Sequence, residues 1–178
     1  MELSSKDRAI LNCVFNPHLP LDDAFNEKPD LQDEEESTEE ILNAKKLEME
    51  AVILAENAQC DEAIIKLNEA IAIAPNKASL YNNRAHTLQF QGKYEEALED
   101  VNKSLELAKD SKLLKTLCQA HVQRGVLYRR KDDKENARKD FQIAAEMGDV
   151  FAKTQMVELN PYAALCNEML RRVMETWK

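Results

Sequence analysis

The sequence predicts an all-α protein built from three tandem helical hairpins, and two observations carry that expectation. The first is internal repetition. Ala63, Ala97 and Ala137 sit in the same local context three times over, within Asp61-Glu62-Ala63-Ile64, Tyr94-Glu95-Glu96-Ala97-Leu98 and Lys134-Glu135-Asn136-Ala137-Arg138. Leu67 and Ala70, Val101 and Ser104, and Phe141 and Ala144 follow four and seven residues later, and Ala51, Ala85 and Gly125 come twelve residues earlier. The period is 34 residues and then 40. A fixed period of this size signals stacked supersecondary units. The second is composition: three Gly, five Pro, 44% hydrophobic and 32% charged residues in 178 suit a helical chain.

The small residues have a packing reason. Two antiparallel helices approach within about 8–10 Å only where the residues at the crossing are small. The earlier small residue lies on a first helix and the later Ala on a second. Leu47 and Leu54, Tyr81 and Leu88, and His121 and Tyr128 fill the space around them. Short polar turns join the helices: Ala58-Gln59-Cys60-Asp61, Gln91-Gly92-Lys93 and Lys131-Asp132-Asp133. Pro75 closes the first unit, as a residue after a helix C-terminus often does. The longer second step is read as a turn near Asp110-Ser111, with an early start to the next helix capped by Ser111. A longer loop is the alternative.

This pattern resembles the tetratricopeptide repeat (TPR), whose units span about 34 residues. Tyr81, Ala85, Leu88, Gly92, Tyr94 and Ala97 carry the resemblance in the second copy, and Gly125, Tyr128, Ala137, Phe141 and Ala144 in the third. The first copy departs at Glu50, where Leu is usual. The resemblance covers about residues 44–150 and implies a right-handed α-solenoid of three TPR hairpins plus C-terminal capping helices. The expected units are residues 44–77, 78–111 and 112–150, within a repeat region of 41–150. Ala51, Ala63, Ala85, Ala97, Gly125 and Ala137 are the expected packing positions.

Outside the repeats the chain changes character. Residues 1–21 hold Ile10, Leu11, Val14 and Phe15 at helical spacing before Asn16-Pro17. So short a helix is marginal alone and must dock, either on its own array, as a plug in the groove, or on another protein. Residues 22–40 carry ten acids and one base, as much net negative charge as the whole chain at −9. This linker reads as a solvated tether; the alternative is a mask that folds against a basic partner. Ser37 suits acidophilic kinases and, with Glu40, has the spacing of a capping box. Residues 151–178 are expected to cap the array. Asn160-Pro161 is a helix start, and Tyr162, Leu165, Cys166, Met169, Leu170, Val173, Met174 and Trp177 form an amphipathic stripe suited to covering the last repeat. A partner-binding helix is the other reading.

Composition excludes several functions. His18, His86 and His121 are far apart, and no phosphate loop or nucleophile signature is present, so no catalytic residue is assigned. Cys13, Cys60, Cys118 and Cys166 make no metal-ligand pair, so neither metal nor cofactor is expected. Arg129-Arg130-Lys131 is too short a basic run for nucleic acid, and no apolar run is long enough for a membrane span. Met1-Glu2-Leu3-Ser4-Ser5 lacks the apolar core of a secretion signal. The expectation is a cytoplasmic, also nuclear, monomer.

The resemblance implies a non-enzymatic adaptor or scaffold that holds a peptide or protein client in a concave groove lined by the first helices. The residues assigned to that groove are Met49, Val52, Asn82, Asn83, His86, Phe90, Gln119, Gln123 and Val126, beside Lys45, Glu48 and Val122. Amides there can serve an extended backbone, while Met49, Val52, Phe90 and Val126 can hold apolar side chains. Heat-shock chaperones are the partner class that the resemblance suggests. Chaperone-binding members grip an acidic tail with a clamp of Lys and Asn, then Asn, then Lys and Arg, from successive hairpins. Here only Asn83 matches. Glu48 and Val52 replace the first pair and Gln119 and Gln123 the last, and neutral amides hold a carboxylate less strongly than charged donors. A chaperone contact by another surface is therefore the alternative to a groove adaptor.

Overall fold

The computed structural model describes residues 31–33, 38–160, 169, 172 and 173. Among the described residues there are seven principal helices and no strand: α1 (Glu39–Glu56), α2 (Cys60–Ile73), α3 (Ala78–Phe90), α4 (Tyr94–Asp110), α5 (Leu114–Arg130), α6 (Lys134–Glu146) and α7 (Val150–Glu158). Helices α1 and α2, α3 and α4, and α5 and α6 pair as hairpins, and each hairpin stacks on the next. The first helices α1, α3 and α5 also touch in series, so they form one continuous wall. The architecture is an all-α solenoid of helical hairpins.

Each hairpin closes on its pair of small residues. Ala51, Ala63, Ala97 and Ala137 have no exposed surface and Ala85 has 1%. Gly125 is buried too. The residue four after the second Ala differs in each hairpin: Leu67, Val101 and then Phe141, all at most 1% exposed. The partner residue changes with it. A Cβ on Gly125 would lie 2.8 Å from the Phe141 ring, so the largest filler demands the smallest neighbour.

A charged pair bridges each hairpin beside that crossing. Arg84 donates through Nε and Nη2 to both Asp100 carboxylate oxygens, at 2.7 and 2.6 Å, and through Nη1 to Asn68 of the preceding hairpin at 2.7 Å. Arg124 repeats this with Asp140 at 2.8 Å twice and with Asn102 at 2.9 Å. In the first hairpin the signs are exchanged: Lys66 faces Glu50 at 3.6 Å, in a more exposed setting. Glu50 is thus one half of a reversed pair. Burial alone would raise the Asp140 pKa, but hydrogen bonds from His121 and Arg124 outweigh it and hold the carboxyl below 3.8.

The six-residue step resolves as longer helices. Helix α4 has 17 residues against 14 in α2, α5 has 17 against 13 in α3, and the intervening turn is Ser111–Leu113 instead of Ala74–Lys77. Ser111 does not cap α5. It ends α4, and the N-cap residue of α5 is Leu113, whose side chain makes no cap. The cap comes from Asp33, inside the stretch expected to be a solvated tether. Its carboxylate accepts from the Lys115 and Thr116 N–H groups at 2.8 and 3.0 Å. At α1 the cap is Thr38, accepting from Ile41 N–H at 3.3 Å; the helix starts one residue later than a Ser37 box requires, and Ser37 lies outside the described residues. So do residues 1–30, with the expected N-terminal helix.

At the far end, α7 buries Ala152 and Gln155, and Met156 and Leu159 pack on the Phe141 cluster. Of the C-terminal stripe, only Met169 and Val173 are described; both are helical, and they are 60% and 52% exposed. The other stripe residues lie outside the described set.

Two outcomes follow. Gly125→Ala gains helix propensity of up to about 1 kcal/mol, but overpacking against a fully buried ring costs about 1–3 kcal/mol. Denaturant titration should show net destabilisation, with Phe141→Leu in the same chain restoring much of it. Asp140→Asn should cost about 3 kcal/mol at pH 7, because it breaks a mostly buried pair. A depressed carboxylate pKa adds stability above the unfolded value and loses it as pH falls through the folded one. The acid-side decline below pH 3.8 should therefore be shallower in Asp140→Asn than in the parent chain.

Candidate functional site

The wall formed by α1 and α3 carries a pocket of about 640 Å³, lined by Val52, Ala55, Glu56, Ala58, Cys60, Leu67, Asn83, His86, Thr87 and Phe90. Helix periodicity places these residues together. Val52 and Ala55 stand one turn apart on α1, and Asn83, His86, Thr87 and Phe90 follow one face of α3 at spacings of three, one and three. The turn at Ala58, where φ is +61°, brings Cys60 of α2 to the rim. Phe90 is 64% exposed and Val52 38%. Single exposed hydrophobics are common on a protein surface; what marks Phe90 is its place in a concave pocket beside Val52, Ala55 and Leu67.

His86 lies against Phe90, with ring centroids 4.7 Å apart and planes at 59°. The residue keeps exposed surface, yet partial burial of the ring lowers its pKa below 6.5. The shift favours the uncharged imidazole.

Asn83 lines the same pocket. Its Nδ2 donates to Glu48 Oε1 at 2.8 Å, and Glu48 Oε2 pairs with the Lys77 ammonium at 3.0 Å. The Lys77 and Glu48 side chains are only 6% and 13% exposed. Lys77 also bonds Ser79 Oγ. The Asn83 amide is thus already bonded to a carboxylate of the chain itself.

The remaining assigned residues are scattered along the wall. Met49 is 67% exposed on α1, outside the pocket lining. Asn82 is 4% exposed; it belongs to the packing of the array, not to its open surface. Gln119 is exposed on α5, and Gln123 is half-buried. Val122 and Val126 pack on the cluster of Cys118, Ala137, Phe141, Ala144 and Ala152, together with Leu31, Met156 and Leu159. The structure therefore brings together Val52, Asn83, His86 and Phe90, and separates them from the α5 set.

Sequence reasoning missed Glu56, Cys60 and Thr87 as lining residues, and it missed the Glu48–Asn83 bond. Burial and a nearby Asp149 push the Cys118 thiol up to about 11, which keeps it protonated and inert. Among the described residues, no group of His, Cys, Asp and Glu could hold a metal ion, and no helix is long and apolar enough to cross a membrane.

Comparison with known proteins fits this geometry. A family model described as tetratricopeptide repeat matches residues 76–149. Tetratricopeptide repeat protein 36 of Caenorhabditis briggsae is 47% identical, with 98% of this chain and 97% of the relative covered. The Drosophila melanogaster homolog is 44% identical over 100% of this chain and 97% of its own, and the human protein is 38% identical over 94% and 92%. Among solved structures, the N-terminal domain of stress-induced protein-1 from C. elegans superposes with a TM-score of 0.61 at 19% identity, covering 69% of this chain and 98% of that one. The first TPR of Spaghetti (RPAP3), bound to the HSP90 peptide SRMEEVD, gives 0.61 at 21% identity, covering 69% and 94%.

The His86 environment can be checked by NMR titration. Its imidazole should titrate below 6.5, and Phe90→Ala, which opens the ring to water, should move the value back towards 6.5. Because the folded pKa is lowered, the unfolded chain binds more protons between the two values. Acidification through that window should therefore destabilise the parent chain more than Phe90→Ala.

Proposed function

The chain belongs to the tetratricopeptide repeat protein 36 family, and on that footing we propose that it is a non-enzymatic adaptor. It binds an extended peptide or protein client along the wall of first helices, with an apolar client side chain anchored between Val52, His86 and Phe90. The observation that carries this reading is the convergence of those residues around one cavity with a 64%-exposed aromatic ring at its mouth. Buried aromatic anchors supply most of the binding energy in such interfaces. Thr87 bonds back to the Asn83 carbonyl at 2.9 Å and so is committed to its own helix. The polar contacts to a client fall instead to exposed edges such as Glu56 and Gln119. A chain of net charge −9 favours a protein client over nucleic acid.

A second reading is association with a heat-shock chaperone. It draws support from structural neighbours solved with HSP90 and HSP70 peptides. Glu48 argues that such a contact uses a surface other than the clamp. An incoming terminal carboxylate meets a carboxylate already bonded to Asn83 and Lys77, and like charges a few ångströms apart in a half-buried site repel strongly.

The test is selection from a random peptide library on the immobilised full chain, followed by calorimetry of the enriched peptides. Peptides with a shared apolar anchor are expected, with affinity falling roughly 30-fold in Phe90→Ala, the loss typical of a hot-spot aromatic. Equal affinity in Phe90→Ala, with its helical content intact, would move recognition to another face.

A further inference from the structure

A second feature lies at the opposite end of the wall, on the third hairpin. The Asp33 carboxylate sits on the head of α5, accepting from Lys115 N–H at 2.8 Å, Thr116 N–H at 3.0 Å and Thr116 Oγ1 at 2.6 Å. Those amides are the second and third of the helix, the ones a capping side chain ordinarily serves. The helix dipole favours the negative charge there. Two residues earlier, Leu31 packs on the cluster formed by Cys118, Phe141 and Ala144, in company with Val122 and Val126. Leu31-Gln32-Asp33 is neither helix nor strand and reaches α5 from more than eighty positions away.

The segment thus binds as a peptide ligand does, with an apolar side chain in a packed patch and a carboxylate on backbone donors two residues on. The exposed Lys112 and Lys115 add positive charge at the head of the helix that receives Asp33. Leu31 and Asp33 are only half-buried, and a surface segment of this kind opens more readily than the helices it lies on.

We propose that the head of α5 is a recognition site for extended client segments carrying an apolar residue two positions before an Asp or Glu, and that Leu31-Gln32-Asp33 fills it in cis. A client of that chemistry enters by displacing the chain's own segment. The tether raises the local concentration of the internal copy to about the millimolar range, so client affinity in the parent chain is reduced by the fraction of time the site is closed. This site is separate from the Phe90 pocket and stands whether or not that pocket takes a client.

The experiment uses the full chain carrying Leu31→Ala and Asp33→Ala, titrated with a synthetic peptide copying residues 28–36. Saturable binding at least roughly 10-fold tighter than to the parent chain is expected. The peptide should slow hydrogen exchange at the Lys115 and Thr116 amides. The same peptide with Asp33→Asn should bind far more weakly, and Phe90→Ala should change nothing. If the variant melts at a lower temperature, the peptide should raise its Tm with concentration. Equal affinity for parent and variant chains would overturn the proposal. So would no binding to the folded variant, or a variant that stays unfolded at saturating peptide, which would make the segment part of the fold.

Discussion

Everything in this protein depends on six small residues meeting in pairs where two helices cross. Ala51 with Ala63, Ala85 with Ala97, and Gly125 with Ala137 let each hairpin close, and all six are buried. Close approach brings the residue four further along the second helix onto the first helix. The three hairpins solve that contact differently, with Leu67, Val101 and Phe141, and the third gives up a Cβ to admit the ring. A closed hairpin still has an apolar face that it cannot bury alone, so the hairpins stack. Stacking then lines α1, α3 and α5 into the wall that carries the pocket and the capped head of α5. The charged crossings at Arg84–Asp100 and Arg124–Asp140 reach back to Asn68 and Asn102 of the preceding hairpin, so the same side chains that brace one unit also set its register on the last.

Much of this was legible because its causes are local and repeated. The hairpins, the turns at Gly92 and Asp132, and the small-residue positions each follow from spacing along one helix. The 40-residue step was half legible: the absence of Pro or Gly argued for continuous helix, and both α4 and α5 are longer, but nothing local could reveal the cap. Asp33 is one of ten acids in a run of similar composition, and only the fold brings it to Thr116. The reversed Glu50–Lys66 pair could have been found. Glu50, Arg84 and Arg124 stand at one repeat position and Lys66, Asp100 and Asp140 at another, so opposite signs at both places mark a pair that crosses the hairpin.

The candidate site was legible in part for the same reason. Helical spacing along α3 put Asn83, His86 and Phe90 on one face, and they do share the pocket. Asn82, next in sequence to Asn83, is turned into the packing by the 100° step between neighbours on a helix. Cys60 and Glu56 belong to the lining because a turn folds them back, which spacing along one helix cannot express. Glu48 is the most consequential of the polar groups. It sits one turn before Val52 on α1, accepts from Asn83 and pairs with the largely buried Lys77 ammonium. The wall thus combines an exposed aromatic ring with a carboxylate of its own, the two features on which the proposed preference for an apolar client side chain over a charged chain terminus rests.

That character can be tested on a single group. The side-chain amide of Asn83 gives its own pair of proton–nitrogen NMR resonances, and these can be followed while the acidic-tail peptide SRMEEVD is titrated into the full chain. If Glu48 occupies Asn83, the pair should keep its position up to millimolar peptide, and Glu48→Gln should shift it without any peptide. A saturable movement of the Asn83 amide in the parent chain would mean that a terminal carboxylate displaces Glu48, and the account of this wall as closed to acidic tails would be wrong.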